Sequence, residues 1–171
     1  KIVVNGTLGD HGIAVLAARE ELDIASNLRS DCASLNKLIY KVLNNISGIS
    51  FMRDLTRGGL ATVLCEISES IQYGIKLDES TIPVRDEVRG VCEMLGMEPI
   101  YVANEGKFIT IVDGNYADEL LSLMQKETLA QQAAIIGEVV DDHPGRVVMN
   151  TEIGGNRFLD MLTGEQLPRI C

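Results

Sequence analysis

The chain has 171 residues, 46% hydrophobic and 23% charged, with a formal charge of −10. This is the composition of one ordinary globular domain with enough apolar side chain for a core, and its acidity excludes a polyanionic partner such as nucleic acid. No apolar run is long enough to span a bilayer, and no basic stretch followed by an apolar one opens the sequence.

Residues 1–4 read as a short apolar strand. A start inside such a strand, without an initiator Met, predicts that the chain is part of a longer protein. NGTLGDHG then turns the chain, and residues 11–20 have the composition of a helix, with Asp10 as its N-cap. Leu35, Leu38, Ile39, Val42 and Leu43 keep helical spacing, which predicts a helix capped by Ser30 or Asp31 and opened by Cys32. Residues 48–52 predict a short buried strand, and residues 59–73 a helix ended by Gly74. A strand over 75–77 and a helix over 83–95 follow, with Cys92 in the apolar rhythm of Val88, Val91 and Leu95. YVANEGKFITIVD predicts two strands around a Gly-containing turn. A helix over 116–126, a strand over 133–140, the turn DDHPG and a strand over 146–149 complete the order.

Strand, helix, strand, inserted helix, strand, helix, strand is a ferredoxin-like βαββαβ pattern with extra helices. It predicts an α+β domain over residues 1–162, with helices packed on a mostly antiparallel sheet. Residues 163–171 predict a flexible tail, because Pro168 lacks an amide donor and neither helix nor central strand fits LPRIC. The four cysteines are too far apart for a Cys-x-x-Cys zinc or redox pair. Cys32 and Cys92 read as packed or inert, whereas Cys171 has no packing explanation.

Four places carry candidate chemistry. In RDLTRGGL, Gly58 and Gly59 allow close backbone approach at a helix start, and Arg53 and Arg57 suit phosphate. The same stretch also reads as a plain helix start capped by Asp54 or Thr56, and it lacks the Lys-Ser/Thr ending of a P-loop. In ANEGK, Asn104, Glu105 and Gly106 read either as turn residues or as a setting for Glu105 as a general base beside Lys107. GDHG places His11 in the first turn of a helix. The fourth place is Cys171 on its tail.

Together and in this order, GTLGDHG, SDCA, RDLTRGGL, IPVRDEVRGVCEMLG, ANEGK, IIGEV and the closing LPRIC resemble the C-terminal half of the HypE hydrogenase maturation factors. RDLTRGGL and ANEGK alone are similar to the wider superfamily of aminoimidazole ribonucleotide synthetase and selenophosphate synthetase; the terminal PRIC narrows it. The resemblance implies the superfamily's C-terminal α+β fold and an ATP-dependent carbamoyl dehydratase in a cytoplasmic protein. It implies that a partner carbamoyltransferase loads Cys171 with a carbamoyl group, that ATP drives its dehydration to a thiocyanate, and that an iron-scaffold complex receives the cyanide. ATP and Mg2+ would be bound mainly by the missing N-terminal half, in a homodimer. Cys171 would be the acceptor, Glu105 the base and His11 a supporting group. Arg53, Asp54, Thr56, Arg57, Gly58, Gly59, Asn104 and Lys107 would hold phosphates or tail. Two other readings stand beside this one: a synthetase domain of the same superfamily with another substrate, and a non-catalytic domain that presents its tail to partners.

Overall fold

The computed structural model describes residues 1–19 and 28–162. The tail expected over residues 163–171, Cys171 included, lies outside the described residues, as does Glu20.

The first strand, β1 (Ile2–Val4), shows why this sequence builds two layers of helix. Ile2 and Val4 face one core and Val3 the other, so both faces are covered and all three residues are apolar. β4 (Phe108–Val112) repeats the pattern, with Ile109 on the first face and Phe108 and Val112 on the second. The first face takes α3 (Gly59–Ile71), which buries Leu60, Val63, Leu64 and Ile67. The second takes α2 (Asn36–Asn45) through Leu38 and Val42, and α5 (Ala117–Gln125) through Leu120 and Met124. A third cluster joins α1 (Asp10–Arg19) to α4 (Asp86–Leu95), with Ile13 and Leu16 meeting Val88, Val91 and Cys92.

The remaining strands are β2 (Ile49–Asp54), β3 (Gly74–Asp78), β5 (Ala134–Val140), β6 (Val147–Asn150) and β7 (Asn156–Leu159). They join in one seven-stranded sheet of order β2-β4-β1-β5-β3-β6-β7. Every pairing is antiparallel except β3 with β6. The α+β class and the mostly antiparallel sheet are as expected. The expected pattern does not place β1, which lies mid-sheet between β4 and β5.

Local differences have local causes. β2 is an edge strand with Ser50 and Phe51 exposed, not a buried one. α3 ends on Gln72 in a left-handed conformation (φ 57°), two residues before Gly74. α2 begins after Leu35 without a side-chain cap, so neither Ser30 nor Asp31 caps it, and Cys32 stands exposed ahead of it. ANEGK does not join two strands. Pro99–Tyr101 is a single 3-10 turn, and the chain runs irregularly from there to β4. β7 was not expected: four residues behind a Gly-Gly turn are too short to show alternation.

Candidate active site

Three loops meet at a cleft of about 540 Å³. Asn5 and Thr7 come from the segment between β1 and α1, and Asp10 is the first residue of α1; Arg29, Ser30, Asp31 and Cys32 come from the segment before α2, and Gly106 and Lys107 from the approach to β4. Arg85 closes one side and Leu129, Gln131 and Gln132 another. The charged lining holds three cations and two carboxylates, in a chain whose formal charge is −10. The cleft is thus locally suited to an anionic or strongly polar ligand.

Asn104 bolts this region together. It is fully buried, and its Oδ1 accepts the Gly9 amide at 2.8 Å. Its Nδ2 donates to the carbonyls of Val102 at 3.0 Å and Leu55 at 3.3 Å. With its amide spent on backbone groups, Asn104 positions the loops rather than reaching a ligand. Asn5, also fully buried, works in parallel: its side chain donates to the Gly106 carbonyl at 3.1 Å and accepts from the Phe108 amide at 2.7 Å.

Among the described residues, Lys107 is the one expected site residue that lines the cleft. Its Nζ lies 3.2 Å from Asp31 Oδ2, and the two side chains are 11% and 3% exposed. The other Asp31 oxygen accepts the amides of Glu105 at 3.0 Å and Gly106 at 3.3 Å. Gly106 allows this approach, because a Cβ there would stand 1.9 Å from the Asp31 carbonyl oxygen. Glu105 itself is half-buried, held between the bolted Asn104 and the clamped Gly106. His11 Nδ1 and the Ser30 hydroxyl are 2.8 Å apart, so GDHG and SDCA are joined here too.

RDLTRGGL lies behind the cleft and lines none of it. Leu55 exchanges hydrogen bonds with Lys107 and Asn104, which fixes the stretch to the back of ANEGK. Gly59, at φ 63°, packs so tightly that a Cβ would stand 2.5 Å from the Ile100 carbonyl oxygen. Gly58 is the N-cap of α3 with no side-chain cap, so neither Asp54 nor Thr56 caps that helix. Arg53 is ion-paired with Glu66 on α3, while Asp54 and Arg57 are exposed and Thr56 half-buried.

Asp10 was expected as a helix cap; instead its carboxylate takes the Thr7 hydroxyl, and Arg85 Nε stands 3.6 Å from its Oδ1. Burial pushes this carboxyl above its usual range, opposed by the Thr7 hydrogen bond and by Arg85 and Lys107. A carboxyl whose folded-state pKa is raised binds its proton more tightly when folded, so its contribution is lost as pH rises through the raised value. Relative to Asp10→Asn, the wild type should therefore lose stability as pH climbs from the ordinary carboxylate value near 4 through the raised one. Denaturant midpoints of the two proteins across that range check this; parallel curves would refute it.

The thiols divide as sharply. Burial pushes Cys65 and Cys92 up to about 11, and Cys65 Sγ donates to the Leu159 carbonyl at 3.4 Å. Cys32, expected to be packed or inert, is not packed: it is exposed on the cleft wall. At pH 8 a thiol titrating near 11 is thiolate for roughly one part in a thousand. In a Cys171→Ala protein, iodoacetamide should label one thiol quickly and two very slowly. Equal rates for all three would contradict this burial.

Among the described residues no three His, Cys, Asp or Glu side chains gather to hold a metal ion. Likewise no described helix is long and apolar enough to cross a membrane.

Residues 1–150 match the family described as AIR synthase related protein, C-terminal domain. The chain belongs to that family. It is 48% identical over 170 residues to carbamoyl dehydratase HypE of Cupriavidus necator, covering 99% of this chain and 48% of that protein. Carbamoyl dehydratase HypE of Rhodobacter capsulatus is 46% identical over 169 residues, with 99% and 50% covered. Among solved structures, HypE in complex with ATP superposes with a TM-score of 0.94 at 42% identity, over 99% of this chain and 52% of that one. A HypE–HypF complex gives 0.88 at 42% identity, over 94% and 52%. The family domain thus carries the resemblance read from its motifs, and the chain spans about half the length of the curated relatives it matches.

Proposed function

We propose that this domain serves an ATP-dependent carbamoyl dehydratase, with the carbamoyl group carried on Cys171. The observation that carries the reading is the meeting of GDHG, SDCA and ANEGK at one cleft, with Glu105 clamped through its own amide beside Lys107. The carbamoyl dehydratases among the relatives support the reaction class.

A carbamoyl oxygen is a poor leaving group, so ATP first phosphorylates it. The S–C(=O)–NH2 group then loses one nitrogen proton and becomes S–C(OPO3)=NH, with release of ADP. Next the carbon–oxygen bond breaks, phosphate departs and the second nitrogen proton leaves, giving S–C≡N. Glu105 is the base for nitrogen protons. Lys107 offers positive charge to the departing phosphate, and His11, tied to Ser30, supports the bound group. Arg53, Asp54, Thr56, Arg57, Gly58 and Gly59 act from behind, holding ANEGK in place or contacting phosphates from the other half of the protein.

The solved complex of HypE with ATP supports ATP as the second substrate, and the HypE–HypF complex supports a protein partner, here a carbamoyltransferase that loads Cys171. The described residues offer no cluster of carboxylates fit for Mg2+; Mg2+-ATP would be held mainly by the N-terminal half, in a homodimer. A cytoplasmic iron-scaffold complex would receive the cyanide. The test is mass spectrometry of the full-length protein given carbamoyl phosphate, the transferase and ATP. A carbamoyl adduct that then loses water is the expected result. A Cys171→Ala protein that still accepts the carbamoyl group would overturn the reading.

A further inference from the structure

We infer that Asp31 is a positioning residue, which holds the base Glu105 and the cation Lys107 in one fixed geometry. This rests on the reading of Glu105 as the base and goes beyond it, because Asp31 lies 74 positions away in sequence and that reading gives it no part in the reaction.

The two oxygens of Asp31 do different work. Oδ1 receives the backbone amides of Glu105 and Gly106, at 3.0 and 3.3 Å, and Oδ2 faces Lys107 Nζ at 3.2 Å. One carboxylate therefore fixes the Cα from which the Glu105 side chain projects and, through its other oxygen, the position of the ammonium. Its side chain is 3% exposed, so neither task is diluted by solvent. Fixation from the other side comes from Asn104, which is neutral and tied to Gly9 and Leu55. Asp31 is the anchor that also sets charge, since it neutralises a nearly buried lysine.

A base displaced by about 1 Å loses roughly 100-fold in rate. The substitutions Asp31→Ala and Asp31→Asn separate the two tasks. Alanine removes both; asparagine keeps an acceptor for the amides but drops the charge on Lys107. Amide hydrogen exchange at Glu105 and Gly106 reads the clamp directly. We expect it to accelerate about tenfold in Asp31→Ala and to stay near wild type in Asp31→Asn. In the full-length protein, carbamoyl loading should be unchanged in both. Dehydration should fall about 100-fold in kcat for Asp31→Ala with KM for ATP unchanged, and Asp31→Asn should recover most of that loss.

Unchanged exchange in Asp31→Ala would overturn the proposal. So would fast exchange with wild-type dehydration while Glu105→Gln still stalls, and that outcome would leave the dehydratase reading standing. A wild-type protein that is loaded but never dehydrated would bring down both. A fall in kcat with a rise in KM, a lowered melting temperature and no recovery by asparagine would reduce Asp31 to a structural residue and overturn its assigned role.

Discussion

In the full-length protein, Glu105→Gln should accept a carbamoyl group at the normal rate and then stall as the thiocarbamate. Glutamine keeps the length and hydrogen-bonding shape of glutamate but has no affinity for a proton near neutral pH. The backbone around it should not move, because the amides of residues 105 and 106 bind Asp31 whatever the side chain is. On the proposed reading, loading takes place in the transferase's own site and does not use Glu105. Loss of a positioned base costs about 100- to 10,000-fold. Mass spectrometry after addition of ATP would therefore show an adduct that retains its water for hours. Normal conversion to thiocyanate would remove Glu105 from the mechanism while leaving Cys171 as the acceptor.

Asn104→Ala should be the most damaging small substitution to stability near the cleft. It leaves the Gly9 amide and the carbonyls of Leu55 and Val102 without their side-chain partner in a site with no solvent exposure. An unpaired buried donor costs about 1–3 kcal/mol, and the vacated volume adds to it. We expect a total of about 3 kcal/mol, read as a fall of roughly 6–12 °C in Tm for a chain of this size. Asn104→Asp should not rescue it. A carboxylate accepts from Gly9 but sets negative charge against two carbonyl oxygens with no solvent to relieve it. A variant that melts within about 2 °C of wild type would show that the bolt contributes little.

How far the sequence reached depended on the range of the interaction. Helical spacing located α2 through α5 within a few residues, because Leu38 and Val42 or Leu60, Val63 and Leu64 declare a buried face locally. The motifs GDHG and ANEGK were picked out by their residue types, and the fold does bring their loops together. Asp31 and Arg85 were missed as parts of the cleft. An aspartate before a helix is usually its cap, and nothing within ten residues of Asp31 shows that its carboxylate turns instead to residues 105–107. Cys32 was misplaced for the same reason: moving the start of α2 to Asn36 took it out of the apolar face. Asn104 looked like a turn residue because asparagine favours turns; that all of its amide is spent inside is legible only in three dimensions.

The position of β1 has a consequence for how the chain reaches its native state. Val3 pairs with Thr110 on one side and Ile135 on the other, so the first strand made by synthesis within this domain waits for more than a hundred residues before either neighbour exists. Until residues 134–140 have emerged, Ile2, Val3 and Val4 are an apolar edge with no ladder on one side. Contacts of such long sequence separation slow folding and leave sticky intermediates exposed on the ribosome. Any truncation upstream of Val140 should therefore yield aggregates rather than a smaller soluble domain, because it opens the sheet at its centre and not at its rim.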